Sequence, residues 1–172
     1  PLTGASILRD EKLKMVVNLR ASYQLEIDKI VDSLVRNARQ KIAIIYQDDA
    51  FGKDGLKSAE SALNRHGLKP IAIATVQRNS AQIQSALQVL ISSQPNAIIN
   101  ISTYVSSAAL SRELLQRDVK AQIMNVSFVG TRALEQSLPV GLANGIGVSQ
   151  VVPFPWDRWI PVVADYQRLM RI

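Results

Sequence analysis

Residues 41–63 read KIAIIYQDDAFGKDGLKSAESAL. After Lys41 the run to Tyr46 is apolar and isoleucine-rich without alternation, as expected of a strand buried on both faces. A polar turn with two adjacent carboxylates, Asp48 and Asp49, follows. Helical spacing then begins after Gly52 and ends at Gly67, a residue suited to the left-handed position that closes a helix. A buried strand, a turn and a helix make half of a parallel crossover unit. In open α/β sheets, ligands bind beyond the carboxyl ends of the strands. The turn therefore bears on both the fold and the place where function is to be sought.

The same alternation runs through most of the chain. PIAIATV (70–76), NAIINIS (96–102), AQIMNV (121–126) and GIGVSQVV (145–152) are further short apolar runs bounded by Gly, Pro, Asn or Ser. Between them lie segments of helical period. SYQLEIDKIVDSLVRN places Leu25, Ile27, Ile30, Val31 and Leu34 on one stripe, with Ser22 as N-cap. SAQIQSALQVLISS places Ile83, Leu87, Leu90 and Ile91 together, with Ser80 as N-cap. SSAALSRELLQRD groups Ala108, Leu110, Leu114 and Leu115. Strand–helix alternation predicts an α/β fold, a doubly wound and mostly parallel sheet flanked by helices. The strand ends are Tyr46 to Asp49, Val76-Gln77, Ser102 to Tyr104 and Val126 to Phe128. No internal repeat or low-complexity segment is present.

The two ends fit this unit less well. MVVNLR (15–20) is strand-like with no evident partner. The tail VVPFPWDRWIPVVADYQRLMRI (151–172) breaks at Pro153 and Pro155 and resumes as a helix. Its Trp156 and Trp159 call for a partner surface. The chain opens on Pro1 rather than Met and looks cut from something longer.

Composition narrows the function classes. Of 172 residues, 47% are hydrophobic and 20% charged, an ordinary globular balance. There is no cysteine, which removes disulfides, thiolate metal sites and cysteine nucleophiles. The net charge of +6 is spread over single basic residues rather than clustered on one element, so nucleic acid is not an expected partner. No apolar run reaches the length of about 18 residues that spans a bilayer, so no direct membrane insertion is expected. The opening PLTGASILRDEK lacks the basic and apolar regions of a signal peptide.

Candidate chemistry is sparse. Adjacent aspartates in a turn point in different directions, which ill suits a general acid/base pair. Glycosidase carboxylates stand roughly 5–9 Å apart across a substrate. A metal site wants more oxygen or imidazole ligands close by, and the single histidine, His66, falls at the far end of the next helix. The plainer reading of Asp48-Asp49 is a helix cap that also lines a cleft, with metal binding and catalysis as alternatives. AFGKDGLKS is not a Walker loop. GLANGIGVS (141–149) leads into a strand, the wrong context for a dinucleotide fingerprint. Ser102 and Ser127 stand where a response regulator would need an aspartate. No serine lies in a GxSxG elbow. Tyr104 and Phe128 sit at strand ends with hydroxyls beside them, either as walls of a small-molecule pocket or simply packed on neighbouring loops. Neither a catalytic residue, a metal site nor a cofactor is expected, and the chain reads as a non-enzyme.

VVNLRASYQLEIDKIVDSLVR…KIAIIYQDDAFGKDGL, then NAIINISTYVSSAALSRELL, then GIGVSQVVPFPWD…VVADYQRLM, resembles the type I periplasmic binding proteins over nearly the whole chain. More narrowly it resembles the branched-chain amino acid (Leu/Ile/Val) receptor group of ABC transporters. The resemblance implies two α/β lobes joined by crossing strands, with the ligand trapped as the lobes close. Residues 1–22 would end the first lobe and make a hinge crossing, 23–147 would form the second lobe, and 148–172 would return through the hinge into a first-lobe helix. The implied function is an extracytoplasmic, periplasmic solute-binding component that partners a membrane permease and captures a small amino acid or related carboxylate. The alternative is a ligand-binding sensor region of a signalling receptor with the same fold. Carried onto this sequence, the family's aromatic contacts fall on Phe51 and on Tyr104, or on Thr103 if the register slips by one. Its acidic contact for the ligand ammonium falls on Ser127, a departure. Asp49 then compensates, or the ligand lacks the amine. The implied ligand-binding residues are Asp49, Phe51, Thr103, Tyr104, Ser127 and Phe128.

Overall fold

The structure, a computed structural model, describes residues 3–170. Pro1, Leu2, Arg171 and Ile172, the outermost residues of the two expected end segments, lie outside them. One parallel sheet carries β1 (Ile42–Gln47), β2 (Ala72–Val76), β3 (Ala97–Ile101), β4 (Gln122–Asn125) and β5 (Gly147–Val148), in the spatial order β2-β1-β3-β4-β5. The helices between them are α2 (Ala50–Arg65), α3 (Gln84–Ser93), α4 (Tyr104–Gln116) and α5 (Thr131–Gln136). Helix α1 (Tyr23–Arg36) precedes the sheet and α6 (Pro161–Met170) follows it. Among the described residues no helix is long and apolar enough to cross a membrane.

The unbroken apolar runs of β1 and β3 follow from burial on both faces, whereas the run 70–76 departs from that expectation: β2 lies at the sheet edge and buries one face only, leaving Ile73 40% exposed. Successive strand residues point to opposite sides. Ile42 and Ile44, with Ile99 and Ile101, pack against α1 and α2. Ala43 and Ile45, with Ile98 and Ile123, pack against α3 and α4. Ile42, Ile44, Ile45, Ile98, Ile99 and Ile101 are fully buried. Each contributes about 1.5–3 kcal/mol relative to an exposed side chain.

Several local expectations change. Helix α2 starts at Ala50, two residues before Gly52, because the Asp49 carboxylate accepts the Gly52 N–H at 2.9 Å and closes the first turn earlier. Both Gly52 and Gly55 are thus helical. A Cβ on Gly52 would stand 1.8 Å from the Gln47 carbonyl oxygen, and one on Gly55 would stand 2.6 Å from Ile101 Cγ2. The glycines let α2 lie directly on the ends of β1 and β3. Helix α3 starts at Gln84 with Ile83 as N-cap. Ser80 is occupied elsewhere: its hydroxyl accepts the Gln82 N–H, and its carbonyl accepts the Ser106 hydroxyl at 2.7 Å. On α1, Leu25 is 58% exposed and Glu26 takes the buried position instead. The run 145–152 yields only the two-residue β5, and MVVNLR forms no strand. Ser22 caps α1 as expected, accepting the Leu25 N–H.

Candidate functional site

The chain leaves β1 toward β2 on one side and returns to β3 on the other. The switch in strand order therefore lies between β1 and β3, and the crevice beyond their carboxyl ends is the place where such sheets take ligands. Asp49 and Phe51 follow β1, Thr103 and Tyr104 follow β3, and Ser127 and Phe128 follow the adjacent β4.

The aspartates of the first turn are held locally. Asp49 caps α2 with one carboxylate oxygen and accepts the side-chain amide of the buried Gln47 with the other. Asp48 meets Lys53 Nζ at 3.0 Å, and that hydrogen bond raises the Lys53 ammonium above its ordinary pKa. The pair is exposed and adds little to stability.

A buried polar chain fixes the ends of β3 and β4. The Asn100 amide donates to Ser107 Oγ at 3.0 Å, and Ser107 Oγ donates to Asn125 Oδ1 at 2.6 Å. The Asn125 amide donates to the Gly147 carbonyl at 3.2 Å, and Ser102 Oγ donates to Asn100 Oδ1 at 2.7 Å. Such a network rigidifies its surroundings when its members are satisfied. Thr103 precedes α4 without capping it. Its hydroxyl donates instead to Asn79 Oδ1 at 2.9 Å, tying the loop after β2 to the end of β3.

Ser127 is tethered to a residue that the sequence reading did not single out. The Glu26 carboxylate accepts the Ser127 backbone N–H, Ser127 Oγ at 3.1 Å, Ser149 Oγ at 2.6 Å and Arg20 Nη2 at 3.1 Å. The Glu26 side chain is only 1% exposed. Arg20 Nη2 also donates to Ser127 Oγ at 3.1 Å, and its guanidinium lies 5.3 Å from the Tyr23 ring centre. One carboxylate thus joins the segment before α1, the loop after β4 and the segment after β5. The spacing carried a signal: Glu26 stands three residues after buried Tyr23 and four before buried Ile30, squarely on the apolar stripe.

Three rings form a continuous aromatic floor. Tyr23 and Phe51 meet edge to face with centres 5.1 Å apart, and Phe51 and Phe128 stand 4.6 Å apart at 41°. These distances lie in the favourable range for aromatic pairs. Tyr23 is buried, Phe51 half-buried and Phe128 44% exposed. The structure brings Phe51, Phe128 and Ser127 together, whereas Thr103 turns to Asn79 and Asp49 to its own helix. Tyr104 opens α4 and is 43% exposed. The strand-end face is an open wall with hydroxyls and amides around aromatic surface. The Ser102, Ser106, Ser107 and Ser127 hydroxyls are each engaged with amide, carbonyl or carboxylate groups. His66 pairs with Asp32 at the opposite end of α2. Among the described residues, no three His, Asp or Glu side chains converge as a metal-binding group.

Residues 2–171 match the family model described as periplasmic binding protein. A possible leucine/isoleucine/valine-binding protein from Rhodopirellula baltica superposes with a TM-score of 0.88 and 37% identity, over 98% of this chain and 47% of that one. A substrate-binding periplasmic protein from Ralstonia solanacearum gives 0.86 and 30%, over 99% and 48%. A branched-chain amino acid ABC transporter protein from Thermus thermophilus, solved with bound valine, shares the fold at 0.73 and 14%, over 80% and 36%. The chain thus spans about half the length of the first two. Among curated proteins, none matches.

Proposed function

The chain belongs to the periplasmic binding proteins, and from that premise we propose that it supplies most of one lobe of an extracytoplasmic solute receptor. The receptor serves an ABC transporter, delivering a small amino acid or related carboxylate to a membrane permease. Residues 23–147 make the lobe, and residues 1–22 and 148–172 run through the hinge into the other body. The observation that carries this reading is the aromatic wall of half-buried Phe51 and exposed Phe128 at the carboxyl ends of the strands, beside the β1/β3 switch. A wall of this kind is half of a cleft, and the share of its relatives that the chain spans is also about half.

The mechanism is binding with a shift in population. A ligand that touches both lobes only when they are closed favours the closed state by the free energy of those extra contacts. Phe51, Phe128 and Tyr104 give apolar contact, and Thr103 and Ser127 orient polar groups. Asp49 keeps the turn after β1 in place at the rim. No covalent bond changes.

Calorimetric titration of the full-length protein carrying this chain, and of the 172-residue chain itself, tests the reading. The longer protein is expected to bind a small carboxylate in the micromolar range or tighter. The isolated chain is expected to bind at millimolar strength or not at all, because it lacks the facing contacts. Micromolar binding by the isolated chain would contradict the two-lobe account.

A further inference from the structure

We infer that Glu26 is a positioning residue for ligand binding: it sets the affinity of the aromatic wall by fixing the Phe128 ring against Phe51, and it does so without touching the ligand. The inference rests on the proposal that the strand-end face is a ligand-binding wall.

The contacts around the wall close into a ring. Tyr23 and Glu26 stand three residues apart in the first turn of α1, and both are buried. Glu26 accepts the Ser127 N–H and hydroxyl, and Phe128 is the next residue along the chain. Phe128 lies against Phe51, and Phe51 against Tyr23. Phe51 is set by the first turn of α2, which Asp49 caps. Phe128 has no comparable frame. It occupies the middle of the three-residue turn Ser127–Val129, closed by Gly130 at a φ of +75°. Val126 and Val129 anchor the two ends of that turn in the core. Ser127 ties it sideways to α1. Loosening this tie frees the more exposed of the two wall rings, whereas Glu26 itself, with a side chain only 1% exposed, is out of a ligand's reach.

The tie calls for a carboxylate in particular. Each Glu26 oxygen serves one hydroxyl and one group that can only donate. Oε1 takes Ser149 Oγ and the Ser127 N–H, and Oε2 takes Ser127 Oγ and Arg20 Nη2. Hydroxyls can turn and accept, but a backbone N–H and a guanidinium cannot. An amide in place of the carboxylate therefore sets its own N–H groups against an obligate donor whichever way it lies. Replacing a whole buried ion pair by apolar side chains is often neutral for stability. What such side chains lack is the set of directed bonds that holds Ser127, and with it Phe128, in one place.

Two measurements separate placement from stability alone. The chain has three phenylalanines, Phe51, Phe128 and Phe154. The 172-residue chain grown with 4-fluorophenylalanine thus gives three fluorine resonances, with Phe154 in the exposed tail as internal control. Glu26→Gln is expected to shift or broaden the Phe51 and Phe128 resonances and to leave Phe154 in place. Glu26→Asp, which keeps the charge and shortens its reach, is the second variant and is expected to behave alike; melting profiles establish that each is folded. In the full-length protein, calorimetry uses the tightest binder from a panel of the standard amino acids and the amine-free acids with the same side chains. Glu26→Gln and Phe128→Ala are each expected to weaken it about tenfold, and the double variant little more than Phe128→Ala alone, since both act through one ring. Unmoved wall resonances would overturn the inference. So would moved resonances with unchanged affinity, the mark of a merely structural Glu26. Fully additive losses would overturn the route through Phe128 and leave the receptor reading standing. Silence of the wild type across the whole panel would overturn the receptor reading, and the binding role of Glu26 with it.

Discussion

Glu26 and Ser127 lie 101 residues apart in sequence and are joined twice: the Ser127 N–H and hydroxyl both donate to the Glu26 carboxylate. The first turn of α1 is thereby fastened to the loop that carries Phe128. Ser149 and Arg20 converge on the same carboxylate. The position of the aromatic wall thus depends on a charged group in the interior.

Removing that group should be among the more damaging single changes in the chain. Glu26→Ala removes the buried carboxylate that pairs with the Arg20 guanidinium, which is 15% exposed, and it orphans the Ser127 N–H. Breaking one partner of such a pair costs about 3–5 kcal/mol. Glu26→Gln keeps the shape and one acceptor oxygen, so its loss should be smaller. Urea unfolding of the three proteins checks the order. A Glu26→Ala protein within about 1 kcal/mol of wild type would show that the hub is not structural.

The two glycines of α2 give a second ranked pair. A methyl at position 52 meets the Gln47 backbone carbonyl at 1.8 Å, where nothing can move aside without bending β1. At position 55 it meets Ile101 Cγ2, the branch methyl of a buried side chain, at 2.6 Å, so that side chain must turn or the helix must lift slightly. Gly55→Ala should cost about 1–3 kcal/mol, the usual range for overpacking, and Gly52→Ala more than that. Both changes improve intrinsic helix propensity, so destabilisation isolates the packing effect. An unchanged urea midpoint for Gly52→Ala would contradict the close approach of helix to strand.

Much of the fold was legible because its causes are local. Runs such as IAII and AIIN are short, apolar and closely bounded by polar or turn-forming residues, which fits the strands buried on both faces that they form. Ser22 and Asp49 are side chains that cap the helix starting one residue later. Gly52 and Gly55 misled the reading of the start of α2, since the reason for them is Gln47 and Ile101, a contact made only in three dimensions. Ser80 looked like a cap, but its carbonyl is claimed by Ser106. Leu25 and Glu26 exchange their expected roles because the partners of Glu26 come from Arg20, just before the helix, and from two distant segments. The candidate site divides in the same way. Phe51 and Phe128 were read as aromatic contacts, whereas their stacking, the involvement of Tyr23 and the occupation of Ser127 by Glu26 needed the tertiary structure.

Acid should weaken one surface tie in a defined direction. Asp32 accepts a hydrogen bond from the His66 ring at 2.9 Å. That bond, with the nearby charges of His66, Lys29 and Arg36, holds the Asp32 carboxyl below its ordinary pKa, against a smaller opposing effect of desolvation. A carboxylate with a depressed folded pKa stabilises the fold above its unfolded value, about 3.9, and loses that contribution as pH falls through the lower folded value. The stability difference between wild type and Asp32→Asn should therefore be present at neutral pH and vanish in strong acid. Unfolding measured for both proteins across that range checks it, and a difference independent of pH would remove Asp32 as the titrating group.

The segment after β5 leaves large apolar side chains in solvent. Trp159 is 95% exposed, and Phe154, Trp156, Val162 and Leu169 are exposed as well. Val152, Pro153, Pro155, Val162 and Tyr166 line a groove of about 370 Å³ there. Near the start of the chain Met15, Val17 and Leu19 are also exposed, so this segment does not shield its apolar side chains by lying over the sheet. Apolar surface of this extent marks an interaction face. Under the two-lobe reading its natural cover is the other body of the receptor. The 172-residue chain on its own should instead self-associate as its concentration rises. Sedimentation velocity would show this as a weight-average mass increasing above 18.9 kDa. Replacing Trp156 and Trp159 together by serine should abolish the increase and leave the melting of the sheet domain nearly unchanged, since neither ring is part of its buried clusters. A chain that stays monomeric at every accessible concentration would mean that these side chains are tolerated in water, and the surface would lose its standing as an interface.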